Sequence, residues 1–101
     1  MEGNQLFPVF IKLNTVHTVL IGAGPVGLEK LSALLTNSPE AGITVIGREV
    51  IPELLELVAG NEKVKVIQKE FEASDLIGAD LIVVATNNVW MVFNLMKTGN
   101  N

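Results

Sequence analysis

The sequence predicts an α/β domain built on a parallel sheet. Short β-branched runs alternate with segments of helical apolar spacing, and a glycine-rich turn, Gly22-Ala23-Gly24-Pro25-Val26-Gly27, joins the first run to the first helical segment. The apolar residues, 49% of the chain, are mostly aliphatic with only 5% aromatic, the composition of strands covered on both faces. At 101 residues the chain is expected to be one domain spanning 1–101.

Residues 16–21, VHTVLI, form a strand-like run that ends at a glycine, and apolar residues then recur at Val26, Leu28, Leu31, Leu34 and Leu35. A strand, a tight turn and a helix over 25–35 are therefore expected. The segment Asn37-Ser38-Pro39-Glu40-Ala41-Gly42 ends that helix, because proline disfavours helical geometry in the residue before it. A second strand over 43–46 follows. Helical spacing returns over 51–59, with Pro52 near its start and Gly60 past its end, and 64–67 reads as a third strand. Between Gln68 and Ala79 there is room for a turn or one short helix, after which 80–85, DLIVVA, is a fourth strand. Right-handed crossovers then give the spatial order 3-2-1-4, with helices on both faces.

The tail, VWMVFNLM over 89–96, reads as a helix that is apolar all round, whereas a helix on one side of a sheet keeps a polar face. Such a segment is expected to be covered, and self-association through it into a homo-oligomer is the expectation. Thr98, Gly99, Asn100 and Asn101 look like a terminator where a fifth strand is due, so the sheet is expected to be incomplete at this edge.

Seven basic and eleven acidic residues give a net charge of -4, and no run of Lys or Arg could neutralise a phosphate backbone. Nucleic acid is not an expected partner. The absence of cysteine removes disulfides, thiolate metal sites and cysteine nucleophiles, and fits the cytosol. The apolar stretches are far shorter than a membrane span, and Met1-Glu2-Gly3-Asn4 lacks the basic start of a signal peptide, so a cytoplasmic protein with no membrane association is expected.

The turn fits G-x-G-x-x-G in its proper setting, after a strand and at the start of a helix within one βαβ unit. This is the Rossmann-type fingerprint. Gly22 permits the tight turn, Gly24 lets backbone approach a pyrophosphate, and Gly27 allows helix to pack closely on strand. Backbone N–H groups at the helix start then face the phosphates, with Pro25 preset for the first turn and Ala23 and Val26 completing the loop. The acid that usually binds the ribose hydroxyls, expected about 20 residues on, is missing: Gly47 stands there, followed by Arg48 and Glu49. Arg48 can accept a 2′-phosphate, making the cofactor NADP, or stack on adenine, or point into solvent while backbone holds the ribose. Thr86, Asn87 and Asn88 follow the fourth strand, where ligands of open α/β sheets bind, and either reach the ribose or the nicotinamide side or cap the next helix.

His17, the only histidine, lies within the first strand and reads as structural. Glu29, Lys30, Glu53 and Glu56 read as water-facing, and Phe71, Leu76 and Ile77 as core. No carboxylate pair, metal-ligand cluster or nucleophile–base pair stands out, so no catalytic or metal-binding residue is assigned. These residues describe a cofactor site without a reaction.

With the elements in place, the chain to about Asn88 resembles the N-terminal NAD-binding domain of the siroheme synthase family, the precorrin-2 dehydrogenase and sirohydrochlorin ferrochelatase proteins. The likeness lies in Leu6-Phe7-Pro8-Val9-Phe10-Ile11-Lys12-Leu13, in the loop with Val26, Glu29 and Lys30, in Phe71-Glu72 with Asp75-Leu76, and in the run from Ala79 to Asn88. The family also tends to lack the ribose acid. The resemblance implies NAD as cofactor, oxidation of the tetrapyrrole precorrin-2 to sirohydrochlorin, and in some members insertion of ferrous iron to give siroheme. It further implies that Gly22, Gly24, Val26 and Gly27 line the pyrophosphate and that Thr86, Asn87 and Asn88 lie by the far ribose. Members continue with a more polar helix carrying an asparagine and a strand ending in a catalytic aspartate. Here Asn94 does not fall at that spacing, so the chain is expected to be a truncated or alternative version lacking the catalytic strand and the dimerisation region. A regulatory NAD(P)-sensing module without catalysis is the alternative expectation.

Overall fold

The computed structural model describes residues 15–85 and 89–92. Strand β1 (His17–Ile21) leads into helix α1 (Pro25–Asn37), strand β2 (Gly42–Gly47), helix α2 (Pro52–Leu57) and strand β3 (Val64–Gln68). A 3-10 turn (Ala73–Leu76) precedes strands β4 (Leu81–Val84) and β5 (Val89–Val92). The sheet order is β3-β2-β1-β4-β5, so the expected 3-2-1-4 arrangement is present, with β1 pairing in parallel to both β2 and β4.

Burial explains why the inner strands read as continuous apolar runs. Alternate residues point to opposite faces, and both faces of β1, β2 and β4 are covered. On one face Leu20, Ile43, Val45, Leu81 and Val83 pack with Leu31 and Leu34 of α1 and with Leu54 and Val58 at α2. Residues 27, 31 and 34 form the buried stripe of α1, the spacing that makes an amphipathic helix. On the other face Val19, Ile46, Ala79 and Ile82 cluster with half-buried Ile21, Leu76 and Val84. Both faces therefore carry helical segments, unequally: two α-helices on the first, the 3-10 turn with Leu76 on the second. β3 is the outermost strand on its side and shows it, with Ile67 exposed.

Three expectations need correction. Residues 89–92 form a strand rather than part of a helix, and β5 runs antiparallel to β4, pairing Leu81 with Val92 and Val84 with Val89. An apolar run this short has no period that separates strand from helix. Four residues separate the two strands, and a parallel crossover needs a dozen or more, so the return has to be antiparallel. A fifth strand thus occupies the edge where none was expected; residues 93–96 lie outside the described region. Phe71 and Ile77 are not core: both are exposed, Ile77 at 83%, since they lie on the connection between β3 and β4 rather than on a strand or helix that packs against the sheet.

Thr18 is fully buried in β1 between Ile43 and Leu81, and its hydroxyl oxygen has no hydrogen-bond partner among the described residues. A buried hydroxyl without a partner costs about 1–3 kcal/mol of desolvation, so Thr18→Val, of nearly the same shape, is expected to raise stability by about 1 kcal/mol in urea unfolding.

Candidate functional site

The glycine loop is wedged between three elements. Gly22, at φ 117, turns the chain out of β1 while its N–H still donates to the Ile46 carbonyl of β2 at 2.7 Å. Ala23 is buried, and its carbonyl accepts from the N–H of Ile51, the N-cap of α2, at 3.1 Å. Gly24 is the N-cap of α1, its carbonyl taking the Leu28 N–H at 2.8 Å, and Pro25 opens the helix.

Close approach explains two of the glycines. A Cβ on Gly27 would stand 2.1 Å from the Gly22 carbonyl oxygen, so α1 is pressed onto the end of β1 at a distance only glycine allows. A Cβ on Gly47 would stand 2.7 Å from the Ala23 Cβ. The position that usually bears the ribose acid is thus closed to any side chain, because the loop lies on it. Gly24 differs: nothing lies within 4 Å of where its Cβ would be. A gap beside a rigid loop, over a helix start with no acidic residue in its first turn, is a cradle for an anionic group approaching backbone N–H. The residues present therefore fit a pyrophosphate.

Gly22, Ala23, Gly24, Pro25, Val26 and Gly27 are brought together here, with Val26 half-exposed beside them. Gly47 adjoins them through Ala23. Arg48 follows at the carboxyl end of β2 with its side chain 76% exposed, its guanidinium 3.9 Å from the Glu70 carboxylate. Thr86, Asn87 and Asn88 lie outside the described residues. His17 sits at the opposite end of β1 from the loop, with Nε2 3.2 Å from the Thr44 hydroxyl, a structural contact. A shallow groove of about 530 Å³ between α1 and α2 carries Glu29, Glu53 and Glu56, a charge that repels phosphate.

The sequence reading missed the ends of β3. Gly47 and Gln68 are register partners, the Lys69 N–H donates to the Gly47 carbonyl at 2.9 Å, and Gln68 Nε2 donates to the Arg48 carbonyl at 3.2 Å. Glu70 is thereby set beside Arg48, a neighbour that sequence spacing alone does not reveal. Lys69 pairs instead within the β3–β4 connection, with Nζ 2.8 Å from Asp75 Oδ1 and 3.4 Å from Glu72 Oε1. The Lys69 ammonium, and then the Glu72 N–H, hold the Asp75 carboxyl below its usual range, while the Asp75 hydrogen bond holds Lys69 above its own.

Residues 9–98 match the model of a family described as "Putative NAD(P)-binding". The chain is 35% identical over 93 residues to the siroheme synthase of Buchnera aphidicola subsp. Acyrthosiphon pisum, covering 92% of this chain and 19% of that protein. It is 28% identical over 83 residues to the precorrin-2 dehydrogenase of Bacillus subtilis, covering 82% of this chain and 49% of that one. The chain thus spans about a fifth of the first relative and about half of the second. Among solved structures it resembles "SirC, precorrin-2 dehydrogenase", with a TM-score of 0.66 at 20% identity over 93% of this chain and 42% of that one, a likeness of fold.

Two measurements follow from this geometry. Gly27→Ala is expected to lower unfolding stability by about 3 kcal/mol, since the clash is with backbone, while Gly24→Ala changes it by less than about 1 kcal/mol. The Lys69–Asp75 pair stabilises the fold between the two shifted pKa values: the contribution is lost as pH falls through the depressed value of Asp75 and as pH rises through the raised value of Lys69. Unfolding curves of wild type and Asp75→Asn are expected to differ at neutral pH and to converge on acidification below the ordinary carboxylate range.

Proposed function

We propose, because the chain belongs to this NAD(P)-binding family, that residues 1–101 form the single cofactor-binding domain of a precorrin-2 dehydrogenase. The cofactor in this reading is NAD. The observation that carries it is a contrast around the loop: Gly27 is closed by the Gly22 backbone and Gly47 of β2 by Ala23, while Gly24 is open where α1 begins. The names of the relatives supply the substrate class, a tetrapyrrole.

In this proposal the bound nicotinamide supplies the hydride acceptor for oxidation of precorrin-2 to sirohydrochlorin. The chain's own part is to bind and orient. Gly22, Ala23, Gly24, Pro25, Val26 and Gly27 hold the pyrophosphate, and Gly47 and Arg48 border the adenosine ribose. Thr86, Asn87 and Asn88, after β4, take the far ribose. Rigidity comes from the ties of Gly22 to β2 and of Ala23 to α2, which fix the loop before any ligand arrives. Iron insertion belongs to the same proposal with iron as substrate; among the described residues no group of three or more His, Cys, Asp or Glu is placed to hold a metal ion. Association of copies is included as well, since β5 is the outermost strand on its side among the described residues, and an outer strand can pair with another chain. No helix among the described residues is long and apolar enough to cross a membrane.

Thermal unfolding with NAD titrated tests the reading. A ligand bound only by the folded state adds about 2.7 kcal/mol at a hundred times its dissociation constant, so a clear rise in Tm is expected. Gly24→Asp is expected to keep the fold, because the position is open, and to abolish the rise, because it puts a carboxylate where the phosphates go. No rise in wild type overturns the proposal.

A further inference from the structure

We propose that Glu70 and Arg48 together set the preference for NAD over NADP. The inference rests on the dinucleotide reading above and names the residues that read the ribose 2′-oxygen. In sheets of this type that task falls to an acid at the end of β2, which accepts from the 2′-hydroxyl and repels a 2′-phosphate. That position is Gly47, where a side chain would meet Ala23 at 2.7 Å. An acid that reads the 2′-oxygen here comes from another element.

The neighbouring strand brings one. Pairing of Gly47 with Gln68, and the bond from the Lys69 N–H to the Gly47 carbonyl, place the ends of β2 and β3 side by side. The bond from Gln68 Nε2 to the Arg48 carbonyl holds the residue after Gly47 in the same place. Glu70 then stands with its carboxylate 3.9 Å from the Arg48 guanidinium, both side chains reaching into solvent. Lys69, the other cation at these two strand ends, is paired with Asp75 and Glu72. Arg48 is thus the group here that could take a 2′-phosphate, and Glu70 is the group that cancels it. Glu70 acts in two ways: its carboxylate accepts from a 2′-hydroxyl, and it occupies the arginine that a 2′-phosphate would need.

The 101-residue chain, Glu70→Gln, Arg48→Ala and the double variant are titrated with NAD and with NADP at low ionic strength, reading Tm and the calorimetric dissociation constant. Both side chains are more than three-quarters exposed, so the variants are expected to unfold like wild type in the absence of ligand. Glu70→Gln is expected to shift the ratio of NAD to NADP affinity toward NADP by about fivefold, the scale of an exposed ion pair. Adding Arg48→Ala is expected to remove the gain for NADP. An unchanged ratio in Glu70→Gln, with wild type binding NAD, overturns the role of the pair and leaves the dinucleotide reading standing. Wild type that binds neither ligand overturns that reading, and the role of the pair with it.

Discussion

The Gly22 carbonyl oxygen lies where a Cβ of residue 27 would have to be, and Ala23 lies where a Cβ of residue 47 would have to be. These two absent side chains set the spacing of the domain at its ligand end. They let α1 start directly on β1 and let the loop rest on β2, so that the backbone of residues 22–24 is fixed by packing on three sides and open on one. The loop is then tied by the Gly22 N–H to Ile46 and by the Ala23 carbonyl to Ile51, which joins β2 and the entry of α2 to the same point. A phosphate site made of backbone works only if the backbone does not move to meet its ligand, and here the packing removes that freedom.

Most of this was legible in the sequence because it depends on local chemistry. Gly22, Gly24 and Gly27 at their spacing, Pro25 and Pro52 at helix starts, and the stripe of Leu31 and Leu34 each report a requirement that a residue type meets alone or with near neighbours. The positions of the four parallel strands followed from β-branched runs and from the rule for crossovers. What was not legible depends on distance along the chain. The run of residues 89–92 has no period, so only the short link from β4 decides its state. Ile77 and Phe71 were read as core from their apolarity, but burial is a property of the path of the loop that carries them.

The same distinction holds at the site. Gly47 looked like a missing acid when read along the sequence; in space it is a surface on which Ala23 rests. Glu70 looked like one charge among several in a polar stretch, and the parallel register of β2 with β3 gives it a place. Charge at the strand ends is arranged in two separate sets, Lys69 with Asp75 and Glu72, and Arg48 with Glu70. The second includes the residue that directly follows Gly47, on which the glycine loop rests. The net charge of the chain carried no information about this division.

The pairing pattern of β1 also bears on how the chain is made. Thr18 meets Ile43 on one side and Leu81 on the other, so one edge of the central strand finds its partner early in synthesis and the other much later. A nascent chain that has reached β3 holds three parallel strands with the apolar edge of β1 uncovered. Such edges recruit other strands, and contacts between residues far apart in sequence form slowly. β4 and β5 are joined by a short link and can pair with each other as soon as both have emerged. The edge of β1 that takes β4 is therefore the last part of the inner sheet whose partner exists, and its exposure lasts until residue 84 has been made.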